Sequence, residues 1–79
     1  MQIPASLVID LNSNSNGIPC ILVDLTTKGF RLRGNFDLSR GQVVQVIFEH
    51  QPQIRVRSRV VWIGKAGFKE EREVGLEVV

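Results

Sequence analysis

The residues of this chain best placed to do chemistry lie in DLTTKGFRLRG, Asp24 to Gly34. Asp24, Thr26 and Gly29 stand at D-x-T-x-x-G spacing. A carboxylate accepts well from paired N–H groups such as the N1–H and N2–H₂ edge of a guanine. A hydroxyl donates or accepts, and a glycine lets a ligand approach the backbone closely. The same three residue types also build a plain turn. In that reading Asp24 accepts from amides two or three residues on, Thr26 does the same more weakly, and Gly29 permits a positive φ or a close approach. Both readings stand on the residues alone.

Arginine is the second chemical feature. Seven of the ten positive residues are arginine, and five of those, Arg31, Arg33, Arg55, Arg57 and Arg59, alternate with other residues in two strand-like segments. They read either as a solvated outer face that blocks edge pairing, or as auxiliary anion contacts or a dock for an acidic protein patch. If the two segments neighbour each other, five like charges repel unless Glu73 and Glu77 relieve them. The net charge of +2 is too mild to imply generic nucleic-acid binding.

No catalytic constellation is legible. His50 is isolated in EHQP, and no second histidine or cysteine pair lies at ligand spacing. Neither a metal site nor a nucleophile–base pair can be assembled, and no G-x-x-x-x-G-K-[ST] run is present. The reading is a non-enzyme without metal or cofactor. Cys20, the one cysteine, sits in the apolar run PCILV and reads as a buried structural thiol, consistent with a reducing cytosol. Trp62 reads as core or barrel-end packing rather than a base-stacking platform. One or both of Phe36 and Phe68 read as lids over barrel ends, and an exposed Phe68 would suit a partner contact.

These groups need a scaffold, and its pattern is β. Helical periodicity is nearly absent, and period-two alternation is punctuated by turn clusters. Strands are expected at about Ala5–Leu11, Pro19–Asp24, Gly29–Arg33, Gln42–Phe48, Gln53–Ile63 and Glu73–Val79, with turns at NSNSNG, Leu25–Lys28 and EHQP. GNFDLSRG is a connection in which Asp37 or Ser39 caps a single helical turn. Phe30 and Leu32 alternate with Arg31 and Arg33, and Ile54, Val56 and Val60 with Arg55, Arg57 and Arg59, which predicts a one-sided core. Six strands in 79 residues leave exposed edges unless the sheet closes. A single domain over residues 1–79, an all-β small six-stranded antiparallel barrel, is therefore expected. The apolar runs are too short to span a bilayer, and MQIPASLVID lacks the features of a signal peptide, so no membrane insertion is expected.

The order of motifs resembles the PilZ domain, the bacterial cyclic di-GMP receptor module. That family carries (D/N)-x-S-x-x-G between its second and third strands; DLTTKG matches with Thr26 in place of serine. Gly41-Gln-Val-Val, Val60-Val61-Trp62 and Val74-Gly75-Leu76-Glu77-Val78 follow in family order. The resemblance implies that cyclic di-GMP lies on the outside of the barrel, that Asp24 and Thr26 contact a guanine, and that Gly29 shapes the turn. The implied location is the bacterial cytoplasm, and the implied output is motility, exopolysaccharide or biofilm control.

One motif departs from the pattern. The family's R-x-x-x-R precedes the first strand and clamps the ligand by bidentate and stacking contacts. Here Ala5 is preceded only by MQIP. A hydrogen bond to a charged group contributes about 1.5–3 kcal/mol, so two missing arginines weaken binding by about 10²–10⁴. The expectation is a degenerate receptor that binds cyclic di-GMP weakly or not at all and works through another protein. Two alternatives remain: a full receptor whose arginines lie upstream or are replaced by the strand arginines, and a small barrel that binds single-stranded nucleic acid. The last ranks lowest, because the arginine faces carry no interleaved aromatics.

Overall fold

Alternation of β-branched and polar residues folds into six strands: β1 (Ile3–Val8), β2 (Ile18–Leu25), β3 (Gly29–Arg33), β4 (Val43–Phe48), β5 (Ile54–Ile63) and β6 (Glu73–Val78). The computed structural model describes residues 2–9, 17–48 and 53–79. Every pairing is antiparallel, and the order β1-β2-β3-β6-β5-β4 closes into a barrel because β1 pairs with both β2 and β4. Closure satisfies both edges of every strand, which is how a chain this short avoids an exposed sheet edge. The expected fold class is the observed one. The end of the expected first strand, most of the NSNSNG turn and EHQP with His50 lie outside the described residues.

The core is the inward set of the alternation. Leu7, Leu22, Phe30, Leu32, Val44, Val46, Val60, Val74 and Leu76 are buried together with Ala5 and Cys20. Phe30 meets Phe48 edge to face at 5.9 Å, the favoured geometry for two aromatic quadrupoles. Phe36 packs partly buried against this cluster, whereas Phe68 is 65% exposed and is not among the residues packed on it. Ile54, expected inside, is 47% exposed; β5 contributes to the core through Val56, Ser58 and Val60 instead. No helical turn forms at Asp37–Ser39. The Gln42 amide donates to the Ser39 carbonyl at 3.1 Å and the Gln42 Oε1 accepts from the Ser39 amide at 3.0 Å, so a tight turn is closed before β4 begins.

Two β-bulges break the alternation. On β2 the pairing with β3 shifts between Leu22 and Asp24, and on β5 the pairing with β6 shifts between Val60 and Trp62. Each leaves one valine, Val23 or Val61, as the extra residue. Beyond a bulge the facing of the strand inverts relative to simple alternation. Asp24 and Trp62, which would otherwise share the inward side of Leu22 and Val60, are turned to the outside.

Cys20 is buried, and burial pushes its thiol up to about 11 from 9.0. The folded state therefore favours the protonated thiol. Its contribution to stability is fully present below pH 9.0 and falls as pH rises through about 11. Urea midpoints measured across that window are expected to fall more steeply for the natural protein than for Cys20→Ala. Parallel slopes would show that Cys20 does not titrate differently on unfolding.

Candidate functional site

The connection from β2 to β3 is three residues long, and Thr26 organises it. The Thr26 amide donates to the Gly29 carbonyl at 2.9 Å. Its Oγ1 accepts from the amides of Lys28 and Gly29 at 3.3 and 3.2 Å, and its hydroxyl donates to the Gly29 carbonyl at 3.2 Å. A hydroxyl has one donor and two acceptor positions, so the turn uses all of them. Asp24 was expected to hold amides two or three residues on. Instead, among the described residues, it accepts only from the adjacent Leu25 amide, at 3.0 Å. The roles are thus reversed: the hydroxyl holds the turn, and the exposed carboxylate keeps spare acceptor capacity.

Gly29 meets the need for close approach, but toward its own sheet. A Cβ there would be driven into the Leu76 carbonyl of β6, and the residue is not among those with positive φ. Gly75 on β6 does the equivalent for Trp62: a Cβ at Gly75 would occupy the place of the indole. The ring lies against the bare backbone of β6, 36% exposed, on the outside of the barrel. The expectation that Trp62 packs in the core or at a barrel end is corrected by the bulge at Val61.

Asp24, Thr26, Gly29, Arg31 and Trp62 line one open cleft of about 500 Å³, together with Lys28, Phe30, Val61, Gly75, Leu76 and Glu77. This falls within the roughly 300–1,000 Å³ typical of small-molecule sites. Register explains the grouping. Arg31 and Trp62 both face Gly75 from opposite sides of β6, and Asp24 faces Arg31 across β2–β3. Arg33, Arg55, Arg57 and Arg59 do not line this cleft. The sequence reading does not assign Trp62, Gly75, Lys28 or Glu77 to the site. The available signal was Gly75, a lone glycine inside a strand pattern, which marks a bulge or a close approach.

The charges of the cleft are balanced. Lys28 and Arg31 stand against Asp24 and Glu77. Arg31 is also engaged from behind: its Nε lies 3.4 Å from Oε1 of Glu73, which is itself 5% exposed. Oε2 of the same carboxylate accepts from Arg33 Nη2 at 2.8 Å and Nε at 3.3 Å. Glu73 is therefore shared by the two β3 arginines and offsets one of their two charges, and β6 separates them from the three on β5.

The family model of the PilZ domain matches residues 2–79. The chain belongs to the PilZ domain family. No curated protein and no solved structure gives a significant match. Membership implies a cyclic di-GMP signalling module, and the cleft on the outside of this PilZ barrel contains the whole D-x-T-x-x-G turn except Leu25 and Thr27. Among the described residues no helix is long and apolar enough to cross a membrane.

Proposed function

We propose that these 79 residues act as a non-catalytic PilZ signalling module with a degenerate cyclic di-GMP site, one that holds the dinucleotide weakly or not at all and works through contact with another protein. The observation that carries this reading is the charge balance of the cleft. A dianion gains little from a site in which two cations face two carboxylates and one of those cations is already shared with Glu73. Asp24 and Thr26 remain as the vestige of guanine recognition. Of the strand arginines, Arg31 lines the cleft, which supports it as the auxiliary anion contact. Exposed apolar side chains, Leu25, Phe68, Ile63 and Trp62 among them, support a protein-facing role.

Isothermal titration of cyclic di-GMP into the 79-residue protein is the direct test. The expected result is no saturable isotherm in the submicromolar range, with weak heats that Asp24→Ala abolishes. A 1:1 or 2:1 isotherm with submicromolar affinity would refute the degenerate-receptor reading.

A second reading is favoured by one feature: Asp24 has spare acceptor capacity beside the exposed face of Trp62. On this reading the cleft is one half of a full receptor, and arginines supplied from outside these residues complete it. A longer natural chain that binds at least a hundredfold tighter, in line with two restored charge-assisted contacts of about 1.5–3 kcal/mol each, would establish it.

A further inference from the structure

Arg55, Arg57 and Arg59 occupy alternate positions of β5, and all three are exposed. Successive guanidinium stems leave the strand about 7 Å apart. Toward β4 they face Ile47, Gln45 and Val43, none of which carries charge. Toward β6 Arg59 faces Glu77, but the pair is not in ion-pair contact. Among the described residues the ion pairs are those of Glu73 with Arg31 and Arg33. Arg55 donates from Nε to Gln53 Oε1 at 3.2 Å, a neutral acceptor. The result is a row of three cations on a strand held on both sides; among the described residues none is in ion-pair contact with a carboxylate, and of the three Arg59 alone faces one across a strand pair.

We propose that this row is a docking surface for an extended acidic protein segment, with carboxylates at every second residue meeting Arg55, Arg57 and Arg59. The inference rests on the reading that the module works through protein contact, and it names the chemistry of that contact. An extended chain repeats its side chains on one face every two residues, the same period as the arginine row. Guanidinium groups match carboxylates bidentately. The barrel is closed, so a partner has no free edge to extend and must be recognised through side chains. A polynucleotide is disfavoured because no aromatic ring stands among the arginines or on the facing positions of β4 to stack a base.

The probe is a short fluorescein-labelled peptide of alternating Glu and Thr, read by fluorescence anisotropy at an ionic strength of about 0.05 M, where exposed charge pairs are weakly screened. The natural protein is expected to bind it, and the same peptide with Gln for Glu is expected to bind about tenfold more weakly or worse. The combined variant Arg55→Gln, Arg57→Gln, Arg59→Gln is expected to show the same loss, Arg57→Gln alone about a threefold loss, and Lys69→Gln, at an exposed cation outside the row, none. If the combined variant fails to fold by circular dichroism, the single variant and the glutamine peptide decide the matter. Equal affinity for the two peptides, no binding by the natural protein, or an oligothymidylate that binds more tightly at the same salt would each overturn the proposal. Tight cyclic di-GMP binding would overturn the degenerate-receptor reading alone and leave the peptide result standing.

Discussion

Gly29→Ala is expected to destabilise the barrel by about 3 kcal/mol or more, although the residue sits in the motif that reads as a ligand contact. Its φ is not in the left-handed region, so alanine carries no conformational penalty there. By itself the substitution would stabilise by about 0.4–1 kcal/mol through the unfolded chain. Sterics reverse the sign. The new Cβ would be forced against the carbonyl of Leu76, and a backbone group in the middle of a paired strand has no rotamer by which to give way. β3 and β6 must separate, and both frame the cleft. Chemical denaturation followed by circular dichroism checks this. A midpoint unchanged within error would mean that the close approach of β3 to β6 is not a constraint. The result also bears on function, because loss of ligand or partner binding in Gly29→Ala would report a broken sheet rather than a lost contact. Asp24→Ala, at an exposed carboxylate that accepts from the adjacent Leu25 amide, is the cleaner probe.

Leu32→Ala is expected to cost about 3–4 kcal/mol, within the usual range for deleting a fully buried leucine. Leu32 is wholly inaccessible and is paired with Leu22 on one side and Val74 on the other. The closed barrel cannot collapse onto the vacated space without breaking register, which places the effect well above that of an adaptable site. At roughly 0.05–0.15 kcal/mol per residue, a chain of 79 residues has about 4–12 kcal/mol in total. The variant is therefore expected to be largely unfolded by physiological temperature or to show a greatly lowered urea midpoint. A loss under about 1 kcal/mol would show that β3 is not the centre of the core. Because Arg31 and Arg33 flank Leu32, the same variant is expected to loosen their joint hold on Glu73.

Much of the fold is legible because alternation is a local property. Phe30, Leu32, Val44, Val46, Val60, Val74 and Leu76 all lie on the inner face, and Arg31, Arg33, Arg55, Arg57 and Arg59 on the outer one. The strand boundaries follow turn residues closely, with β3 at the same limits and β2 within one residue at each end. Alternation fails where it is interrupted by something it does not encode. Counting by twos from Val60 puts Trp62 inside; the bulge at Val61 puts it outside, against Gly75. The site divides in the same way. Asp24, Thr26 and Gly29 lie within one six-residue stretch, so their grouping needs no tertiary information. Their division of labour depends on where each hydrogen bond goes, and Thr26 rather than Asp24 holds the turn.

The amino-acid order alone determines that this chain forms a closed antiparallel barrel with an arginine-bearing exterior, and that it bears the marks of the PilZ family. Both follow from residue types at fixed short spacings, which survive without any knowledge of what packs against what. Only the three-dimensional structure decides which arginines have a carboxylate partner and which do not. β6 lies between the two arginine-bearing strands and delivers Glu73 to Arg31 and Arg33, while Arg55, Arg57 and Arg59 face uncharged residues of β4. Strand order is set by long-range pairing, and electrostatic compensation falls off within a few ångströms. The same five cations therefore separate into two that share a carboxylate and an open row only once the barrel has closed.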